Sequence, residues 1–292
     1  MTKRELPRDL ANVPGVRTGF HVPDVNESRI VITGQAGSGK STLLNANPGL
    51  FMLDPERGGD TVAEPLAMRF TPAPSVPVAE LDLAYQEMVK RIIERHKRGA
   101  RDIRMIGVDS LDELILIFQT ALKLREGVSD VGDIGGGHGK GYFIVRDAIF
   151  GMLDEVYRAG LGWALIVHTK FKIVKVGDKE QQQSVLAISD SYKTATFQKC
   201  EHMLFLEKGV QVRTIPGGVK KVRGREVKEK PRTETIPVRK LRTEPGGLLR
   251  GGSAEDVKAR LPLPNEIMIP PNGGWETWAA AYQKAARTLT GE

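Results

Sequence analysis

GQAGSGKS, residues 34–41, satisfies the pattern G-x-x-x-x-G-K-[ST] at every position. Its flanks give the pattern meaning. RIVIT, residues 29–33, is a short β-branched run that predicts a buried strand, and a short helix is expected from Lys40 onward. Strand, glycine turn and helix in that order form a cradle for phosphate groups. Gly34, Gly37 and Gly39 let the backbone curl so that its N–H groups face phosphate oxygens. The helix N-terminus adds partial positive charge. Lys40 can reach the β- and γ-phosphates of a nucleotide, and the Ser41 hydroxyl can ligate Mg²⁺.

Further apolar runs repeat the theme. LFML (50–53), MIGV (105–108), GWALIVH (162–168) and HMLFLEK (202–208) are continuous strands of the fully buried kind. Between them, helical spacing predicts helices over about Val78–His96, along LDELILIFQTALKL, and over about 142–158. Strands of this type alternating with helices predict an α/β fold with a mostly parallel central sheet flanked by helices on both faces.

In such folds ligands bind at the carboxyl ends of the strands, so polar residues there are candidates. Asp109 ends MIGV and suits the metal, although a strand-end aspartate could simply cap the next helix. Glu56, in LFMLDPERGG, is a candidate for activating water, with Asp54 as its competitor. Asp112 and Glu113 are expected to be exposed on a helix. His168 closes GWALIVH and would face a nucleotide, or it is a satisfied histidine at a strand end.

Composition narrows the classes. Leu114–Phe118 is the longest aliphatic or aromatic run, far short of the roughly 20 residues needed to cross a bilayer. The start, MTKRELPRDL, has no apolar stretch after its basic residues, so a secretory signal is not expected, and one cysteine, Cys200, fits a reducing cytoplasm. The five histidines show no metal-ligand spacing among themselves or with Cys200.

The net charge of +7 is regional: residues 209–250 hold twelve basic and four acidic side chains. Alternating valines and charges there, punctuated by glycine and proline, predict β-hairpins or a basic arm. Lys220, Lys221, Arg223, Arg225, Lys228, Lys230 and Arg232 are candidate contacts to a nucleic-acid backbone, with a solvated hairpin as the alternative. Trp275, Trp278 and Tyr282 share one helical face, which suits docking onto a protein surface better than stacking on bases. DIGGGHGKGYF, residues 133–143, lacks the first glycine and the terminal Ser/Thr of a second phosphate loop. It is expected to be a flexible loop in which His138 and Lys140 could meet phosphate.

GQAGSGKST, LFMLDPERGG, MIGVDSLDEL, the stretch ending YRAGLGWALIVHTK, and ATFQKCEHMLFLEK, in that order, resemble the RecA-like core of bacteriophage ATPases. More closely, they are similar to the phage RecA-related AAA-type family that includes single-strand annealing proteins. The resemblance spans about residues 28–208. It implies a RecA-like P-loop NTPase fold in which Gly34, Gln35, Ala36, Gly37, Ser38, Gly39, Lys40, Ser41 and Thr42 bind ATP and Asp109, with Ser41, holds Mg²⁺. It also implies that Glu56 activates water, His168 senses the γ-phosphate, Lys170–Ser191 is a mobile DNA-contacting loop, and 133–143 corresponds to the first such loop. Pro55 departs from the small polar residue usual before that glutamate. Lys172, Lys193 and Lys199 are candidates for a finger supplied to a neighbouring subunit.

The expected organisation is an N-terminal arm (1–27), an ATPase core (28–208), a basic hairpin or arm (209–250) and a tail with the aromatic helix (251–292). The expected function is ATP-dependent handling of single-stranded DNA in phage recombination. It would act as a homo-oligomer in the host cytoplasm, with a single-strand-binding protein as a possible partner and no membrane. Alternatives are an annealing module with a regulatory ATP site and a small-molecule or nucleotide kinase.

Overall fold

The computed structural model describes residues 22–57, 66–176, 179–217, 219–222, 225–228, 230–243 and 259–290. Most of the expected N-terminal arm, Arg223 and the start of the expected tail lie outside these residues. Strand β1 (Arg29–Gly34) runs into the glycine turn and short helix α1 (Lys40–Asn45). Strand β2 (Leu50–Leu53), strand β3 (Met68–Phe70), helix α2 (Leu81–Lys97), strand β4 (Met105–Val108) and helix α3 (Leu111–Glu126) follow. Helix α4 (Lys140–Arg158), strand β5 (Gly162–Val176), strand β6 (Lys179–Leu186), helix α5 (Asp190–Lys199) and strand β7 (His202–Ile215) come next. The chain continues through β8 (Val219–Val222), β9 (Arg225–Lys228), β10 (Arg232–Arg242), β11 (Glu266–Ile269) and helix α6 (Trp275–Thr290).

The main sheet has the order β11-β10-β7-β1-β5-β4-β2-β3, with β6 paired to β5. From β7 through β3 every pairing is parallel, as the buried apolar runs predict. Side chains alternate across this sheet, so each strand feeds two cores. Val31, Trp163, Leu165 and Val167 pack with the apolar faces of α2, α3 and α4. Ile30, Ile32, Ala164 and Ile166 pack on the other face with Leu43 and Leu44 of α1 and with α6. The α/β class with a mostly parallel sheet is therefore the observed one.

Several elements differ from their expected form. The helix expected from Val78 opens as a 3-10 turn over Val78–Glu80 before α2 begins. Strands β3, β6 and β11 and helix α5 were not anticipated. The described residues of 209–250, which end at Thr243, are mostly β-structure, but they are not all appended to the core. β8 and β9 form a separate two-stranded sheet, whereas β10 pairs with β7 over Arg232–Arg242 and carries the central sheet onward as an antiparallel edge. Alternation of valine and charge marks such strands but not their partners, because partner choice is a long-range matter.

The aromatic helix docks on the protein's own core. Trp275, Trp278 and Tyr282 are all buried, and the rings of Trp278 and Tyr282 meet His202 edge-on at 6.0 and 5.5 Å between centroids. The Tyr282 hydroxyl donates to the Pro23 carbonyl at 3.1 Å, tying the C-terminal helix to the entry of β1. No helix among the described residues is long and apolar enough to cross a membrane. Trp278→Ala should remove about 3–5 kcal/mol of stability, read as a fall in the denaturation midpoint with little change in its slope.

Candidate functional site

Parallel pairing brings four strand ends to one edge. Gly34 at the end of β1 stands opposite His168 on β5, and Val108 of β4 lies between Leu53 of β2 and Leu165 of β5. The phosphate loop, Glu56, Asp109 and His168 are therefore neighbours although they are up to 134 positions apart in the chain. Strand β5 lies between β1 and β4, which sets His168 between the loop and Asp109.

The loop itself is set by backbone geometry. Gly39 is the residue before α1 and has φ +97°, in the left-handed region that favours glycine. Lys40 is buried, and its ammonium donates to the carbonyls of Gly34 and Gln35 at 2.9 and 3.0 Å. Burial lowers its pKa, against the opposing pull of Asp109, Asp112 and Glu56. The Ser41 hydroxyl is near enough to Asp109 to hold its pKa down, so the two residues suited to share a cation are neighbours. Asp109 does not cap α3, whose N-cap position is held by Ser110.

Burial pushes the Asp109 carboxyl up from 3.8 to about 6; the Ser41 hydroxyl opposes the rise, and the charges of Glu56 and Asp54 add to it. A carboxylate that is costly to ionise, beside a hydroxyl and other acids, is suited to a divalent cation. Two further buried polar atoms near the cradle lack protein partners, the Ser38 hydroxyl and Nη1 of Arg239. The site therefore fits a nucleotide with its metal.

A second cluster adjoins Asp109. The Ser110 hydroxyl donates to Oε1 of Glu56. The His168 ring bonds Asp112 through Nδ1 at 2.9 Å, and its backbone N–H donates to the same carboxylate at 3.2 Å. Glu56 lies 3.5 Å from that Nδ1. The Asp112 hydrogen bond raises the His168 pKa above 6.5, against burial. Burial would raise Asp112, but the bonds from His168 outweigh it and hold the carboxyl below its usual range. Ligand atoms of Glu56, Asp112 and His168 lie within 4.8 Å of one another, so a cation could also bridge them.

Asp112 corrects the sequence reading: it is half-buried and orients His168 rather than facing solvent. Its position on the first turn of α3, after a strand-end acid, was the available signal. The face presented by that turn is decided by how α3 packs on the sheet.

Both expected loops run into regular elements. Residues 135–139 all have positive φ, from 59° at His138 to 94° at Gly136, and α4 starts at Lys140 rather than near Tyr142. Asp130 accepts from the Gly132 N–H and the Tyr142 hydroxyl, and Ile134 is buried beneath the turn. His138 and Lys140 are exposed. The described residues of 170–191, expected as a loop, form the paired strands β5 and β6 and the start of α5, with Lys170, Phe171, Lys172 and Ile173 exposed. Lys220 and Lys221 lie on β8 and Arg225 and Lys228 on β9, while Lys230 and Arg232 are exposed where β10 begins. Lys199 is engaged by Asp154 at 2.5 Å.

Strand, phosphate loop and strand-end acid on a mostly parallel sheet define a P-loop NTPase. A family model described as an AAA domain matches residues 26–233, and the chain belongs to that family. Its resemblance to AAA-type ATPases thus holds at the level of the domain. No curated protein matches the chain. Among solved structures, a KaiC-like protein from the hyperthermophilic archaeon Pyrococcus horikoshii OT3 is 11% identical, with 85% of this chain and 88% of that chain covered and a TM-score of 0.38.

Because the folded Asp109 pKa is raised, its neutral form is favoured, and the associated stability is present below 3.8 and lost as pH rises through about 6. Asp109→Asn should therefore stabilise the ligand-free protein at about pH 8 by on the order of 3 kcal/mol, read as a higher melting temperature, with the difference shrinking toward about pH 5. Asp112→Asn should return the His168 pKa toward 6.5, observable in an NMR titration of the imidazole protons.

Proposed function

We propose that this protein hydrolyses ATP with Mg²⁺ at the residue 34–41 loop and uses the cycle to act on single-stranded DNA. One observation carries the hydrolytic part: Lys40, Ser41 with Asp109, and the Glu56–His168–Asp112 cluster all meet at the carboxyl edge of one parallel sheet. A bound magnesium ion would supply charge neutralisation along the phosphates. The chain's own residues do the rest. Lys40 and the loop N–H groups hold phosphate oxygens, and Ser41 and Asp109 hold the cation. Glu56, steadied by the Ser110 hydroxyl, orients and deprotonates water. Asp112 fixes the His168 imidazole through Nδ1, leaving Nε2 to meet the terminal phosphate.

The nucleic-acid part is supported by the basic β-structure beyond the core. Lys220, Lys221, Arg225, Lys228, Lys230 and Arg232 would attract a phosphate backbone without reading sequence. The β5–β6 hairpin, exposed at Lys170–Ile173 and a direct continuation of the strand that carries His168, gives such contacts a route to the nucleotide. This suits the recombination and annealing class that the sequence resembles, with assembly into oligomers on DNA.

Steady-state ATPase assays with and without an oligonucleotide test both parts. Wild type should turn over ATP only with Mg²⁺, and faster with single-stranded DNA at low salt. Glu56→Gln should lose about 100-fold or more in rate while retaining nucleotide binding, and Lys40→Ala should lose the binding. No rate above background would refute the hydrolytic reading. A rate indifferent to DNA, with no effect of nucleotide on DNA affinity, would refute the nucleic-acid reading.

A further inference from the structure

On the face of the sheet that packs against α1, β7 and β10 carry an apolar row that changes character at the phosphate loop. Leu204, Leu206 and Leu241 are buried there. One step further toward the loop the same faces present Lys208 and Arg239, which stand directly opposite each other in the β7–β10 ladder. Like charges in directly opposed positions repel, so the arrangement opposes folding unless an anion joins it.

The geometry places both cations on the glycines of the cradle. A Cβ built on Gly39 would come within 2.5 Å of the Arg239 guanidinium, and one built on Gly37 would lie 3.7 Å from Nζ of Lys208. Nη1 of Arg239 is buried without a partner, and burial alone lowers the Arg239 pKa, with no acid offsetting it. The cations on the opposite face of β10 differ. Arg242 is paired with Glu207 and Glu266, and Lys240 with Glu266. Among the described residues no such ion pair holds Lys208 or Arg239. A cavity of about 200 Å³, lined in part by Lys208, lies between Gln35, Ser38 and residues 205–208 of β7, and the Ser38 hydroxyl is itself buried without a partner.

We infer that Arg239, with Lys208 beside it, is a phosphate-binding group of the nucleotide site, supplied in the same chain by the antiparallel strand β10. The inference rests on the nucleotide-binding reading of the loop. It divides the site by charge. Asp109, Glu56 and Asp112 form the side suited to a cation, and Arg239 and Lys208 the side suited to phosphate oxygens. It also ties nucleotide occupancy to β10, whose other end, at Arg232, lies next to the basic hairpin.

The test is titration of the full chain with a fluorescent ADP analogue, together with melting curves in inorganic triphosphate, for wild type, Lys40→Ala, Arg239→Ala and Arg239→Lys. Arg239→Ala should bind the analogue about tenfold or more weakly, and Arg239→Lys should recover part of the loss. The ligand-free melting temperature of Arg239→Ala should stay level or rise, since a like-charge pair is removed, while its rise on adding triphosphate shrinks. Wild-type affinity in Arg239→Ala, with binding lost in Lys40→Ala, would overturn the inference and leave the nucleotide reading standing. A lower ligand-free melting temperature with an undiminished triphosphate shift would make Arg239 structural only and overturn it equally. Binding absent from wild type, or unaffected by Lys40→Ala, would overturn both readings.

Discussion

Parallel hydrogen bonding of β1 to β5 is the constraint on which the rest of this molecule depends. It sets Gly34 against His168 and, through β5 and β4, brings Asp109 to the same edge. A parallel ladder cannot be closed by a tight turn, so the strands return by longer crossovers, most of them through helices that cover the faces. The two cores follow, as does the burial of Lys40 and Asp109. Burial in turn makes their charges matter: the same acids in water would have no reason to seek a cation.

The antiparallel edge changes what the sheet can do. Strand β10, arriving from the opposite direction next to β7, sets Arg239 over the loop beside Lys208 of β7. It also joins the basic C-terminal segment to the ATPase core as a continuous hydrogen-bonded ladder from Arg232 to Arg242. Because the buried α6 packs beneath that region against His202, the edge is held by apolar burial as well as by its ladder.

Much of the site was legible because its residues occur where local pattern and chemistry coincide. Lys40 and Ser41 belong to a contiguous motif, and Asp109 and His168 are polar residues that follow apolar runs. Asp112 was misread because a helix presents a different face every residue, and only packing against β5 shows which face its first turn offers. Arg239 went unnoticed as one cation among twelve in its segment. Nothing local separates it from Lys240, although one lies over the phosphate loop and the other pairs with Glu266.

The sequence by itself determined the phosphate loop, the strand–helix alternation and so the mostly parallel α/β class, the polar residues Asp109 and His168 that follow buried apolar runs, and the regional basicity. These are properties of short segments, set by backbone freedom at glycine and by the periodicity of apolar side chains. Only the tertiary structure decided the strand order, the Asp112–His168 pair, the docking of Trp278, and the return of β10 beside β7. Each of these joins residues far apart in the chain, and their free energies come from long-range burial and pairing that no local pattern encodes.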